Sequence, residues 1–164
     1  MALYLLNRVN VEWQIIGKYE NIMLVNSLTS ILGNFMKTIE VVAAIVMNDN
    51  KFLCTQRGVS KLDYISKKYE FPGGKVELNE SREVALAREM QEELHMDIAI
   101  VRHYLTVEHT YPDFKIIMHS YLCDSKTRDL VLTEHLEALW LGPDELESLD
   151  WAAADIPIVE KLKG

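Results

Sequence analysis

At 164 residues the chain is long enough for one domain with a sizeable core, and 49% hydrophobic with 26% charged residues is the make-up of a soluble globular protein. A net charge of −8 argues against a nucleic-acid polymer as partner, because phosphate backbones call for a basic surface. A small polyanion neutralised locally by metal ions stays open.

Residues 1–35 carry Arg8, Glu12, Lys18 and Glu20, so they have no positive leader region. Their longest uncharged run, Asn21 to Met36, is sixteen residues, short of the roughly 20 that a membrane span needs. Neither a span nor a signal peptide is expected, and the location expected is cytoplasmic. The natural division is 1–35, an accessory extension or the product of an upstream start, and 36–164, the domain. A chain beginning at Met36 is expected to keep its activity; loss of folding on that truncation would refute the division. Cys54 and Cys123 lie in apolar runs without metal-ligand spacing and read as reduced core thiols.

Thr38 to Met47 (TIEVVAAIVM) is apolar and β-branched, predicting a strand buried on both faces. Asn48-Asp49-Asn50 marks a hairpin turn, and Lys51 to Arg57 returns as a second strand. Gly58 to Lys68 is a polar loop. Phe71-Pro72-Gly73-Gly74 leads into a helix with Ser81 at its N-cap and Glu83 in its first turn. Asp97 to Glu108 and Lys115 to Cys123 read as strands joined by a turn at Tyr111-Pro112-Asp113. Glu137 to Leu141 is a short strand, Pro143 to Leu149 a short helix, and Ile156 to Leu162 a last helix with Asp155 at its N-cap. Helices interspersed with antiparallel and mixed strands indicate an α/β fold, a mixed sheet between helices.

The helix after Ser81 carries the chemistry. At 100° per residue Glu89, Glu92 and Glu93 fall within an arc of about 100°, while Ala87, Met90 and Leu94 share another side. Glu89 repels both Glu92 and Glu93 at helical spacing, at roughly 0.2–0.5 kcal/mol per pair, and Arg88 offsets part of this through Glu92. A glutamate-rich helix on its own is an ordinary solvated face. A hard divalent cation would relieve the repulsion, since Mg²⁺ takes carboxylate oxygens and keeps waters or phosphates as its other ligands.

Spacing turns the reading toward the cation. Gly74, five residues, Glu80, seven residues, Arg88-Glu89-Met90, one residue and Glu92-Glu93, then Met96, resembles the Nudix box, G-x5-E-x7-R-E-U-x-E-E-x-G-U. One specified position departs: His95 stands where the family has Gly, at a helix end that often needs φ > 0. From about Thr38 to Lys163 the chain resembles the MutT branch of the Nudix superfamily, in IEVVAAIV, EFPGGKVE, Glu134 six residues before Trp140, and ADIPIVEKL.

The resemblance implies the Nudix α/β/α sandwich and hydrolysis of a nucleoside triphosphate to monophosphate and pyrophosphate, with Mg²⁺ as cofactor and Mn²⁺ as the alternative. It implies Gly73, through its carbonyl, with Glu89, Glu92 and Glu93 as metal ligands, and Arg88 as the residue that orients them. Glu80 would support the loop and helix with a share in the metal network. Glu134 would be a further ligand or the base. Val41, Arg57, Phe71 and Asp155 would line the nucleobase site, although each also has a plain reading as core, strand end, packing and helix cap. Asp at position 155 keeps the base open between 8-oxo-dGTP-like purines and CTP-like pyrimidines. The implied partner is a small nucleotide, with the chain a monomer or homodimer. The rival from another class is a Nudix-fold nucleotide binder without catalysis, which would have no need of all three box glutamates.

Overall fold

β1 (Lys37–Asn48) and β2 (Lys51–Gln56) form the expected hairpin. Asp49 and Asn50 stand at φ 48° and 57°, a turn whose twist matches the flanking strands and which short polar side chains tolerate. The computed structural model describes residues 36–163, so the expectations for 1–35 lie outside the described residues. Burial on both faces is confined to Val42–Val46, the half of β1 nearest the turn; Lys37 to Glu40 is largely exposed. The run was apolar enough for burial throughout, but its first half borders an open cleft.

That cleft arises because β1 and β2 separate. Their ladder holds Met47 to Phe52 and Asn48 to Lys51, after which β1 continues as the parallel partner of β5 (Phe114–Asp124), from Lys37–Phe114 to Met47–Asp124. β6 (Glu137–Leu141) runs along β2 from Phe52 to Gln56. β1 and the two-residue β3 (Tyr69–Glu70), which the sequence does not announce, therefore share the other edge of β2. Past β3 the chain enters the split and runs beside β1. Ala44 N–H donates to the Pro72 carbonyl (2.8 Å), Val42 N–H to that of Gly74 (2.8 Å), and Val76 N–H to that of Glu40 (3.1 Å). β4 (Ala99–Thr110) closes the other side of the sheet, antiparallel to β5. Strands β4 and β5 are longer or later than expected by one or two residues at their ends.

Helix α1 (Arg82–Leu94) covers one face of this sheet and α2 (Ile156–Leu162) the other. Val42, Ala44 and Val46 pack under Leu86, Met90 and Leu94 of α1. Ala43 and Ile45, pointing oppositely as strand neighbours must, pack with Phe71, Trp151, Ile158 and Val159. A 3₁₀ turn, Pro143–Ser148, stands where a short helix was expected.

Both ends of α1 follow sequence logic. Ser81 Oγ accepts from Val84 N–H at 3.3 Å, the expected N-cap. At the other end His95 takes φ 49°, ψ 38°, and its N–H donates to the Gln91 carbonyl while Met96 N–H donates to that of Met90. That is the left-handed helix stop for which glycine is the unstrained residue. His95→Gly is expected to stabilise the protein by about 1 kcal/mol, visible as a Tm a few degrees higher; an unchanged or lower Tm would mean that His95 gains more from its contacts than it loses in strain.

The division of α1 into an acidic side and a core side needs correction. Ala87 is exposed, and the buried ridge is Leu86, Met90 and Leu94. Ala85, Glu89 and Glu93 form the neighbouring ridge at the same spacing of four, and Glu93 lies only about 20° around the axis from Leu86. Two of the three glutamates thus face inward, over the loop that fills the β1–β2 split.

Candidate active site

Glycines make room for that inward ridge. A Cβ at Gly73, whose φ is 150°, would stand 2.2 Å from the Val42 carbonyl oxygen, and one at Gly74 would stand 2.3 to 2.5 Å from the Glu89 carboxylate. The first clash is with backbone and the second with the end of a flexible side chain. Gly74→Ala is therefore expected to fold with a Tm close to that of the parent while displacing Glu89. Since a misplacement of about 1 Å costs on the order of 10²-fold in rate, kcat should fall by at least about tenfold; parental kcat would show that Glu89 need not stand there.

Arg88 organises the acidic residues. Its guanidinium donates to both Glu80 oxygens (2.7 and 3.2 Å), to Glu89 Oε1 (2.8 Å), to Glu92 Oε2 (3.1 Å) and to the Lys75 carbonyl (3.0 Å). Glu80 also accepts from Glu77 N–H at 2.6 Å, and the Arg88 contact holds its carboxyl below the usual range. Glu80 is thereby held against Arg88 and is not among the residues on the wall of the cavity, a place that suits the expected supporting role.

Glu93 is the exception in this set. Its Oε2 is buried without a hydrogen-bond partner. Burial pushes its carboxyl up to about 7; His135 opposes the rise, and the charges of Glu89, Glu70 and Glu134 add to it. Among the described residues no three His, Cys, Asp or Glu side chains converge as a ready ligand set, and Glu89 and Glu92 are both paired with Arg88. The donors nevertheless fit a hard divalent cation: they are all oxygens, one carboxylate oxygen is buried and unpaired, and no described residue donates to the Gly73 carbonyl beside them.

A cavity of about 460 Å³ runs from these carboxylates into the β1–β2 split, a size suited to a small molecule. Glu89, Glu92, Glu93, Arg88, Gly73 and Glu134 are among the residues that line it. Ile39 and Val41 of β1 and Ile116 and Met118 of β5, register partners in the parallel ladder, form the apolar part. Phe71, stacked on Trp151 with centroids 4.9 Å apart, and Asp155 also line it. Of the site residues expected from sequence, Glu80 alone does not line this cavity.

Asp155 occupies the N-cap position of α2 but does not cap it. Its carboxylate turns inward, where Oδ1 accepts from Phe71 N–H at 3.0 Å. The side chain is fully buried, and that burial, with the charge of Glu70 adding, pushes its carboxyl up to about 8, against the pull of Phe71 N–H and Arg57. At neutral pH it is mainly the protonated acid, a donor as well as an acceptor.

Three residues escaped the sequence reading. Glu70 accepts from Arg57 Nε (2.8 Å) and from His135 (3.2 Å), and Thr133 ties the loop before β6 to the end of α1. Thr133 N–H donates to the Glu93 carbonyl (3.1 Å), and its hydroxyl to the carbonyls of Glu92 and Glu93 (both 2.9 Å), satisfying acceptors that a helix end leaves open. Glu70 precedes Phe71 and His135 follows Glu134, so adjacency was a signal; for Thr133 there was none.

A profile of the NUDIX domain matches residues 37–162. CTP pyrophosphohydrolase of Escherichia coli (strain K12) is 35% identical over 125 residues, 76% of this chain and 91% of that protein. An 8-oxo-dGTP diphosphatase of the same organism is 28% identical over 128 residues, 78% of this chain and 98% of the relative. The solution structure of a MutT protein, a Nudix hydrolase from methicillin-resistant Staphylococcus aureus 252, matches with a TM-score of 0.63 at 41% identity, covering 79% of this chain and 98% of that one. Nudix hydrolases work with a divalent metal ion, which agrees with the oxygen donors that line the cavity. By its box, its fold and these likenesses, the chain belongs to the NUDIX family of hydrolases.

Proposed function

We propose that this protein is a Mg²⁺-dependent pyrophosphohydrolase of nucleoside triphosphates, releasing a monophosphate and pyrophosphate in the manner of MutT. The observation that carries the reading is one cavity lined both by the carboxylates of Glu89, Glu92, Glu93 and Glu134 and by the apolar side chains of Ile39, Val41, Ile116 and Met118 together with Asp155. A triphosphate suits the carboxylates only with metal, and a base suits the apolar wall. Mn²⁺ is the alternative ion. The metal, held by Glu89, Glu92, Glu93 and the Gly73 carbonyl, would neutralise phosphate charge and make a bound water more acidic.

The chain's own groups have separate work. Phosphoryl-type substitution asks for positioning and charge balance more than covalent help. Arg88, held by Glu80, keeps Glu89 and Glu92 in place. Glu134, exposed and lining the same cavity as Glu93, is a further ligand or the acceptor of the attacking water's proton. Val41, Phe71 and Arg57 flank the base, and Asp155 meets its polar edge.

The substrate we favour is 8-oxo-dGTP or a similarly oxidised nucleotide, a nucleotide-pool sanitising role. CTP is the second reading, supported by the 35% identity to the E. coli CTP pyrophosphohydrolase. A panel of 8-oxo-dGTP, dGTP, CTP and a nucleoside-diphosphate sugar, followed by pyrophosphate release with Mg²⁺, tests both. Turnover of none of the triphosphates would end the proposal and favour a nucleotide binder. No helix among the described residues is long and apolar enough to cross a membrane.

A further inference from the structure

Beside the main cavity lies a smaller one of about 250 Å³, lined by Arg57, Glu70, Glu93, Glu134 and His135 among others. His135 was given no role above beyond its pull on the Glu93 carboxyl, yet its side chain is only 4% exposed. Burying an imidazole this deeply costs free energy unless its polar atoms are used. Its Nε2 stands 3.2 Å from Glu70 Oε1, while its Nδ1 is buried with no partner. A carboxylate accepts and does not donate, so Nε2 carries the proton.

Glu70 divides its two oxygens between two elements. Oε2 takes Arg57, from Nε at 2.8 Å and from Nη2 at 2.7 Å; Oε1 takes His135. Arg57 sits just beyond the end of β2, its side chain 44% exposed, and lines the substrate cavity. A long side chain half in water has many rotamers, and holding one of them before substrate arrives removes an ordering cost from binding. Glu70 can hold it only while Glu70 is itself fixed. The loop before β6 supplies that through His135.

We propose that His135 is a positioning residue for substrate, fixing the Glu70 carboxylate and through it the Arg57 guanidinium on the cavity wall. Its neighbour Glu134 does not depend on the same contact. Thr133 N–H and Oγ1 bond the last carbonyls of α1, and Leu136 N–H donates to the Gln56 carbonyl at 2.9 Å, so the backbone on both sides of Glu134 is tied independently. Removing the imidazole therefore loosens Arg57 and leaves the backbone that carries Glu93 and Glu134 in place. The effect falls on KM.

The inference rests on the nucleotide reading, and steady-state kinetics with CTP and 8-oxo-dGTP in Mg²⁺ separate the two: turnover by the parent protein tests the function, and the variant-to-parent ratio tests His135. His135→Ala is expected to raise KM about tenfold, a loss typical of one charge-assisted hydrogen bond, with kcat within about twofold. His135→Gln, whose amide N–H reaches Glu70, should bring KM back toward the parent value. Arg57→Ala and the double variant Arg57→Ala/His135→Ala should share one KM, since His135 has nothing to hold once the guanidinium is gone. Binding of CMP and 8-oxo-dGMP by calorimetry gives the same comparison without turnover. Should His135→Ala fail to fold, Glu70→Gln, which keeps the shape but offers one acceptor oxygen in place of two, is expected to raise KM in the same sense. Parental KM in His135→Ala or in Glu70→Gln, multiplicative effects in the double variant, or a fall in kcat with KM unchanged would each overturn the assignment.

Discussion

Glu93→Gln should make the metal-free protein more stable and the enzyme nearly inactive. In the absence of a cation Glu93 is a liability: Oε2 is buried without a partner, and burial raises the carboxyl from 4.5 to about 7. The folded state holds this proton more tightly than the unfolded chain does. Stability from this group is therefore greatest at low pH, falls as pH rises from about 4.5 to about 7, and stays reduced above that, by on the order of 3 kcal/mol. Glutamine keeps the shape and carries no charge, so metal-free Glu93→Gln should melt several degrees higher than the parent at pH 8, with the gap closing toward pH 4.5. With Mg²⁺ added the parent should gain stability and the variant little. Its kcat should fall by at least about 10²-fold if the proposed ligand set holds, since one of its charges has gone. Glu89→Gln is the contrast: Glu89 is paired with Arg88, so the same loss of activity should come without the gain in stability. A metal-free Tm for Glu93→Gln at or below that of the parent, or kcat within tenfold, would remove Glu93 from the ligand set.

How far this site could be read in advance follows from which physical rule each part obeys. The box glutamates, Ser81 and His95 are legible because helical spacing and helix ends are local. The Asp49-Asn50 turn is legible for the same reason, since its backbone is set by the two residues themselves. β3 was not, because two residues become a strand only when β2 offers a vacant edge. Nor was the inward turn of Glu93: the charge pattern argues for solvent, and the position is overruled by the loop of Gly73 and Gly74 that the helix must cover. Asp155 shows the same conflict. Its sequence position says cap, yet the partner that captures its carboxylate is Phe71 N–H, 84 residues away. Likewise Ala87 fits a core stripe on paper and lies exposed once the sheet chooses the ridge of Leu86.

The second large effect belongs to Asp155. Asparagine there should match the parent near pH 7 and outperform it in alkaline solution, whereas alanine should be impaired throughout. At neutral pH the buried carboxyl, pushed up to about 8, is mainly protonated. In that form it offers an O–H donor beside an acceptor, the complement of N3 with N4–H₂ on cytosine or of O6 with N1–H on guanine. Ionisation removes the donor and leaves two acceptors facing a base acceptor. For CTP, kcat/KM of the parent relative to Asp155→Asn should accordingly decline as pH passes through about 8, because the amide keeps one donor and one acceptor at every pH. Stability should move the same way. The folded state favours the proton, so the parent loses stability as pH rises from about 3.8 toward 8, and the Tm advantage of Asp155→Asn should widen across that range. Asp155→Ala leaves Phe71 N–H without its acceptor and opens space in a packed wall, together costing about 2–4 kcal/mol. With 8-oxo-dGTP, dGTP and CTP compared in one series, unequal losses in Asp155→Ala would mark contact with the base. Equal losses for all three, with a parent-to-asparagine ratio that stays flat between pH 7 and 9, would reduce Asp155 to a support for Phe71.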